Sequence, residues 1–348
     1  MFSQTMTSIN TECCWGADIM KDIYFDENYG RLYEKAENGI SVVYKCQTGN
    51  GEIINQFIKR EIPADVNGEI YYDIVTPYGY GGPYIASSAD RKELLKDYEK
   101  QFADFCHANN IVAEFVRFHP IYKNYEDFRD IYDASFNRYT LATDIKDFDN
   151  PVQSEFSKHT RKTIRSVLNK GVTFRMVEDP TREDVEEFKR IYYLNMERKE
   201  ADEYYFFDDS YFEQIRTLYK GRFVIAQALY QGKVIAAGLY FTTANNVHAH
   251  LSGTDTEYLY LSPAYILKYG TALWAKEKGY DYIHYGGGTS TAPDNPLYLF
   301  KQKFAQNTRF EFWTGRKIWN EKVYDQLCSM AGVSPDEEYF PAYRKVMK

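Results

Sequence analysis

One order of structural signals occurs twice along this 348-residue chain, and that repetition constrains the fold more than any other feature. SVVYKCQTGNGEIINQFIKREI (Ser41–Ile62) reads as two β runs around a Gly-Asn-Gly turn, the pattern of a hairpin. EIYYDIVTP (Glu69–Pro77) adds a third strand, and the glycine-rich loop YGYGGPYIASS follows. Leu94, Leu95, Tyr98, Phe102 and Phe105 then recur at helical spacing over about 89–109, and IVAEFVRFHP supplies a fourth strand. From Arg222 the order returns. RFVIAQALYQGKVIAAGLYFTT is a hairpin, NVHAHLSG a strand, TDTEYLYLSP a loop with a proline, AYILKYGTALWAKEKG a helix closed by Gly279, and YDYIHYGGG a strand. Residue identity between the halves is almost nil, so the match is one of element order.

The second half has a helical extension before its hairpin. DNPVQSEFSKHTRKTIRSVLNKG (Asp149–Gly171) predicts one helix, with Asn150 as N-cap and Pro151 at the first helical position. REDVEEFKRIYYLNMERKE and DDSYFEQIRTLYKG predict two more. Strand-like RYTLATDI passes into a polar stretch near Thr143–Phe148, which places the domain boundary there. Strands alternating with helices in this way imply mixed sheets with helices on their faces, an α+β or α/β class.

Composition narrows the function. The formal net charge of −8 argues against DNA binding through a globally basic surface. The five cysteines (Cys13, Cys14, Cys46, Cys106 and Cys328) have no zinc or redox spacing. The first residues lack a signal-peptide pattern, and no apolar run reaches membrane-spanning length, so a cytoplasmic location is expected. The 33 tyrosines suit a cleft wall for a sugar or peptide, or equally an aromatic core.

Against the acidic background one basic stripe stands out. Lys158, Arg161, Lys162 and Arg165 share a helix face with no acid among them, which suits phosphate recognition or a plain solvated surface. The stretch YDYIHYGGGTSTAPDNPLYLFKQKFA carries the second signal. Gly286, Gly287 and Gly288 end a strand, where main-chain N–H groups are open to an oxyanion. Asn295 and Pro296 then begin a helix on which Leu297, Phe300, Lys301 and Phe304 share one side. A lysine on an apolar face needs an anion or carbonyl partner, unless it snorkels to water. Tyr285 and Tyr298 flank these elements, and TPYGYGGP (Thr76–Pro83) offers Tyr78 and Tyr80 as a substrate wall. His248 and His250 alternate along one strand without a carboxylate at ligand spacing, so strand packing is expected and no metal site.

Taken together, TPYGYGGP, SKHTRKTIRSVLNKG, HLSGTD, YGGG, LFKQKF and YFPAYR (Tyr339–Arg344) resemble the FemAB-like branch of the GNAT acyltransferase superfamily, over nearly the whole chain. That branch includes the peptidoglycan bridge-forming aminoacyltransferases. The resemblance implies two tandem GNAT-like domains, 1–145 and 146–348, each a mixed, mostly antiparallel sheet flanked by helices. In that fold the third and fourth strands of a repeat splay apart and the acyl group lies between them. It also implies a reaction in which an aminoacyl group passes to an amine on a cell-wall precursor stem peptide, with no tightly bound cofactor. Phe300-Lys301 matches the family's F-K pair, with Lys301, Gly287 and Gly288 at the reaction centre. Arg161 and Arg165, with Lys158, match residues that meet precursor phosphates. Tyr78, Tyr80, Tyr285, Tyr298 and Phe300 are the other expected substrate contacts.

Two departures touch the donor. The helical segment between Thr181 and Gly221 is too short for the long arm implicated in tRNA contact in bridge-forming members. The loop GTDTEYLYLSP lacks the [QR]-x-x-G-x-[GA] pattern with which acetyl-CoA users hold pyrophosphate. Aminoacyl-tRNA and acyl-CoA therefore both stand as donors, the latter for an N-acyltransferase acting on an amino sugar or small amine. A non-catalytic module binding cell-wall fragments is the alternative outside enzymology.

Overall fold

A computed structural model describes residues 22–292 and 294–347. Cys13 and Cys14 lie outside the described residues. In chain order the first elements are strands β1 (Gly39–Thr48), β2 (Gly51–Glu61), β3 (Tyr72–Val75) and β4 (Tyr84–Ser88), helix α1 (Arg91–Ala108), β5 (Ile111–Arg117) and the short helix α2 (Tyr125–Phe128). There follow β6 (Asp133–Asp144), α3 (Pro151–Glu155), α4 (Lys158–Asn169), β7 (Thr173–Val177), α5 (Arg182–Arg198) and α6 (Asp209–Leu218). The chain continues through β8 (Phe223–Tyr230), β9 (Lys233–Thr242), β10 (Asn246–Thr254), α7 (Ala264–Lys278), β11 (Tyr282–Gly286) and α8 (Pro296–Gln302). It ends with β12 (Arg309–Ile318) and α9 (Glu321–Ala331).

These elements gather into two compact units. One runs to Ser135 and includes the chain from Trp313 onward, and the other is Phe136–Phe312. The sequence had put everything after 145 in the second unit. The last residues join the first unit because their apolar side chains are buried there. Val323, Tyr324 and Leu327 of α9, with Tyr343, pack on Ile62, Val66, Val112 and Ala113. The fully buried Asp73 carboxylate adds a polar clasp, accepting hydrogen bonds from Arg60, Arg344 and Tyr343.

Each unit contains one copy of the expected repeat. In the first, β1 pairs antiparallel with β2, β2 antiparallel with β3, and β3 runs parallel to β5 after a crossover through α1. In the second, β8 pairs antiparallel with β9, β9 antiparallel with β10, and β10 runs parallel to β11 after a crossover through α7. A parallel pair needs such a crossover, which is why a helix interrupts each strand series at the same point. Beyond the repeat, β7 adds to β8, β11 pairs antiparallel with β6, and β12 residues Thr314–Ile318 lie antiparallel to β5. Tyr84–Ser88, expected as loop, is a strand on β2, with its amides and carbonyls paired to Gly51–Ile54.

Helix α1 shows why the spacing was legible. Asp90 caps the amides of Lys92 and Glu93, and Leu94, Tyr98, Phe102 and Cys106 are buried along one side. The single helix expected over Asp149–Gly171 is two. Phe156 is extended and buried edge-on to Phe304, which breaks the helix, and the Ser157 hydroxyl then caps α4 through the Thr160 amide. Helix α5 lies on β10 at Gly253, where an added Cβ would stand 2.4 Å from the Ile191 carbonyl oxygen. Gly253→Ala is expected to force strand and helix apart and to cost about 2 kcal/mol, measured as a lower urea midpoint.

Candidate active site

The second unit opens its sheet at one place. β10 and β11 pair for three residues, ending at His248↔His284, while β10 continues to Thr254 and β11 to Gly286. Both strands change register just beyond that point. β10 carries an irregularity against β9 between Ala249 and Leu251, and β11 carries one against β6 between His284 and Gly286. An irregularity of this kind bends its strand and ends ladder pairing, so two of them past the last shared pair let the strands part. The parallel pair of the first unit behaves otherwise. Beyond Val75↔Phe115, the Thr76 amide donates to the Phe115 carbonyl, the Arg117 amide donates to the Thr76 hydroxyl, and Gly81 bridges to Phe118. Asn124 holds this loop by donating to the carbonyls of Gly81 and Pro83.

Lys301 stands at the open end. Its Nζ donates to the Gly287 carbonyl at 2.6 Å, so the lysine turns inward and does not snorkel. Helix α8 aims it there. Asn295 caps the Leu297 and Tyr298 amides and also donates to Thr289 and Ser290, tying the loop after the glycines to the helix start. Phe300 and Phe304 anchor the helix against Tyr265, while Leu297, expected on the same buried side, is exposed.

The three glycines work differently from the sequence expectation. Gly286 has φ +71°, a backbone that other residues adopt with strain, and this turns the chain. The carbonyls of the next two residues then face cations: Gly287 O accepts from Lys301 and Gly288 O from Arg138 Nη1 at 2.7 Å. A Cβ on Gly288 would stand 2.6 Å from Asn295 Oδ1, so glycine is required for α8 to approach. The triple glycine thus positions positive charge through its carbonyls, where N–H donors had been expected.

More cations converge on this turn than the sequence indicated. Lys268 of α7 holds its Nζ 4.3 Å from the centre of the Tyr285 ring and 5.3 Å from that of Tyr240. Burial, together with the nearby charges of Lys268, Arg138 and Lys199, pushes the Lys301 pKa down to about 7. Among the described residues no carboxylate forms an ion pair with Lys301, Lys268 or Lys199. Lys199, which follows α5, is itself lowered by burial and by Arg198.

The other expected residues are scattered. Tyr285 is fully buried, its hydroxyl shared with Thr143, which donates to the Phe304 carbonyl. It is a platform for Lys268 and not an open substrate contact. Tyr298 is half-buried against Gly288. Arg161 folds back onto the carbonyls of Gln153 and Phe156, whereas Lys158, Lys162 and Arg165 are exposed. In the first unit Tyr80 is buried edge-on to Tyr24 and His119, and Tyr78 is half-buried against Tyr33. His250 is half-buried and hydrogen-bonded to Tyr211, and desolvation together with the neighbouring His248 lowers its pKa to about 3.

Several main-chain amides in the stretch before α7 are already engaged within the chain. Thr256–Leu261 forms a 3-10 turn in which the Glu257 amide bonds the Asp255 side chain, the Tyr258 amide bonds the Asp255 carbonyl and the Ser262 amide bonds the Leu259 carbonyl. The first amides of α7 are also taken, Tyr265 by Ser262 and Ile266 and Leu267 by Pro263. Glu257 adds negative charge at this place, and Asp255 is paired with Arg190 at 3.6 Å.

The acetyltransferase (GNAT) domain family matches residues 154–293. No curated protein matches in sequence. Among solved structures, FemX superposes with a TM-score of 0.66 at 12% identity, covering 92% of this chain and 98% of that one. The C-terminal domain of a putative lysylphosphatidylglycerol synthetase from Agrobacterium fabrum gives 0.56 at 13% identity, covering 93% and 98%. A tandem GNAT protein from the clavulanic acid biosynthesis pathway gives 0.50 at 10% identity, covering 88% and 96%. Residues 154–293, which contain the opened strand pair, thus match the acetyltransferase (GNAT) domain family, and the chain shares the fold of FemX over nearly its whole length.

Proposed function

We propose that the second unit transfers an aminoacyl group from an ester donor to an amine, and that the acceptor is the stem peptide of a cell-wall precursor. The observation that carries this is Lys301, directed inward to Gly287 O where β10 and β11 part. A carbonyl bound in that opening develops negative charge when an amine attacks it, and the Lys301 ammonium is placed to stabilise the oxyanion. Holding donor and acceptor together supplies much of the remaining acceleration.

An aminoacyl ester is favoured over acyl-CoA by the stretch before α7. A pyrophosphate needs free amides, whereas here the amides of Glu257, Tyr258, Ser262 and Tyr265 are engaged and the Glu257 carboxylate stands beside them. One of the similar folds belongs to a putative lysylphosphatidylglycerol synthetase, an aminoacyl product by its name. The exposed Lys158, Lys162 and Arg165 would meet phosphates of the acceptor or donor, with Tyr298 as a further substrate contact. No described helix is long and apolar enough to cross a membrane, and the reaction belongs in the cytoplasm, where charged tRNA and nucleotide-linked precursors occur.

The test is incubation with a nucleotide-linked cell-wall precursor and either a panel of aminoacyl-tRNAs or a panel of acyl-CoAs, read as mass gain of the acceptor. An aminoacyl mass on the stem peptide is expected. Product only with acyl-CoA would move the donor to the thioester class. Tight binding of precursor without product from any donor would overturn catalysis.

A further inference from the structure

We propose that Lys301 collects the proton released by the acceptor amine, and that Lys268 is the positioning residue whose fixed charge keeps Lys301 able to accept it. The inference rests on the acyl-transfer reading above.

A lysine must be neutral to take a proton, and the surroundings of Lys301 favour that form. Arg138 comes from β6 and is fastened to Gly288 O. Lys268 comes from α7 and Lys199 from the end of α5, and their charges act on Lys301 together with that of Arg138. Tyr285, from β11, has its buried hydroxyl occupied by Thr143 and brings no charge. Lys268 cannot swing away cheaply, because its ammonium rests on the faces of Tyr285 and Tyr240. Three cations around a fourth disfavour its protonation. The neutral amine still donates one N–H to Gly287 O, which directs its lone pair away from that carbonyl.

The steps balance. The acceptor nitrogen bonds to the donor carbonyl carbon and its proton passes to Nζ. The new ammonium then faces the oxyanion. As the carbon–oxygen bond of the ester breaks, Nζ returns the proton to the leaving oxygen, so the enzyme ends the cycle unchanged. The ammonium that stabilises the intermediate is thus made during the reaction.

Two measurements test this. Reductive methylation with carbon-13 formaldehyde labels the lysines, and the Lys301 resonance is assigned by its loss in Lys301→Arg. Its titration without substrates should centre near 7 in the wild type and move up by roughly half a unit to one unit in Lys268→Met and Lys268→Gln. In the activity assay, kcat/KM should rise with pH through the same region, and the limb should move alkaline by the same amount in both variants. The acceptor amine also titrates, but its limb does not move with Lys268. An unmoved Lys301 titration overturns the inference, and so does a kcat/KM that falls across this range or a limb indifferent to Lys268 while product still forms. Absence of product from every donor and acceptor pair overturns the acyl-transfer reading and this inference together, whatever the resonance does.

Discussion

Lys301→Ala is expected to lower kcat by roughly 10²–10³-fold, the loss that follows when one preorganised group is removed from a developing oxyanion, and to leave the protein at least as stable as before. The second half of that outcome separates a functional lysine from a structural one. In the folded chain the Lys301 pKa is near 7, against an ordinary value of 10.5. Between those values the unfolded chain binds a proton that the folded chain does not, so stability rises with pH across that window. Below about pH 7 the folded protein carries the cost of a partly desolvated charge repelled by Lys268, Arg138 and Lys199. Removing the ammonium removes that cost. Urea denaturation at pH 6.5 should therefore give an unchanged or higher midpoint for Lys301→Ala, while single-turnover product formation collapses. Equal losses of midpoint and turnover would make the lysine a structural residue bracing Gly287.

Lys301 was legible in the sequence because two local patterns met at it. A capped helix start, Asn295-Pro296, set the phase that put Phe300, Lys301 and Phe304 on one side, and three glycines stood a short loop before it. The companions of Lys301 were not legible. Arg138, Lys199 and Lys268 come from a strand, a helix end and a second helix far apart in the chain, and no periodicity carries the distance between them. The peptide orientation of the glycines was hidden for a related reason. Three glycines permit φ +71° at Gly286, but only the packing of α8 and Arg138 decides that carbonyls face the cations. Repetition of the fold was visible because hairpin, strand, helix and strand each have their own period. The home of the C-terminus was not, since α9 has the same amphipathic pattern whichever unit it covers. Tyr285 shows the limit for single residues: a tyrosine ending a strand reads alike as a cleft wall and as a core ring, and the partner of its hydroxyl, Thr143, lies in another strand.

The second large effect lies in the core of the first unit, where Glu114 is buried among Asn55, Trp319, Tyr98 and Tyr132 and has no ion-pair partner among the described residues. Asn55 Nδ2 donates to it at 2.8 Å and Trp319 Nε1 at 3.1 Å, and the same Asn55 donates to Tyr98, whose hydroxyl is 2.9 Å from that of Tyr132. Burial pushes the carboxyl up to about 7 from an ordinary 4.5, outweighing the three side-chain hydrogen bonds and the more distant charge of Lys317, which all act downward. The raised value sets the sign. The stability contributed by the protonated acid is fully present below about pH 4.5 and is lost as pH rises through 7, because across that interval the folded chain keeps a proton that the unfolded chain has released. The loss amounts to about 3 kcal/mol. Glu114→Gln keeps an oxygen for one of the two donors, Asn55 or Trp319, sets its NH2 against the other and cannot ionise, so it should be weaker than wild type at low pH but should lose that pH dependence. Urea titrations at pH 5 and pH 8 should show wild type weaker at the higher pH by about 3 kcal/mol more than Glu114→Gln is. Glu114→Ala, by contrast, should weaken the unit at both values, since it leaves the Asn55 amide and the Trp319 indole N–H without their acceptor in a sealed core. A wild-type protein whose pH dependence matches that of Glu114→Gln would mean that water reaches the carboxylate and that this network is not dry.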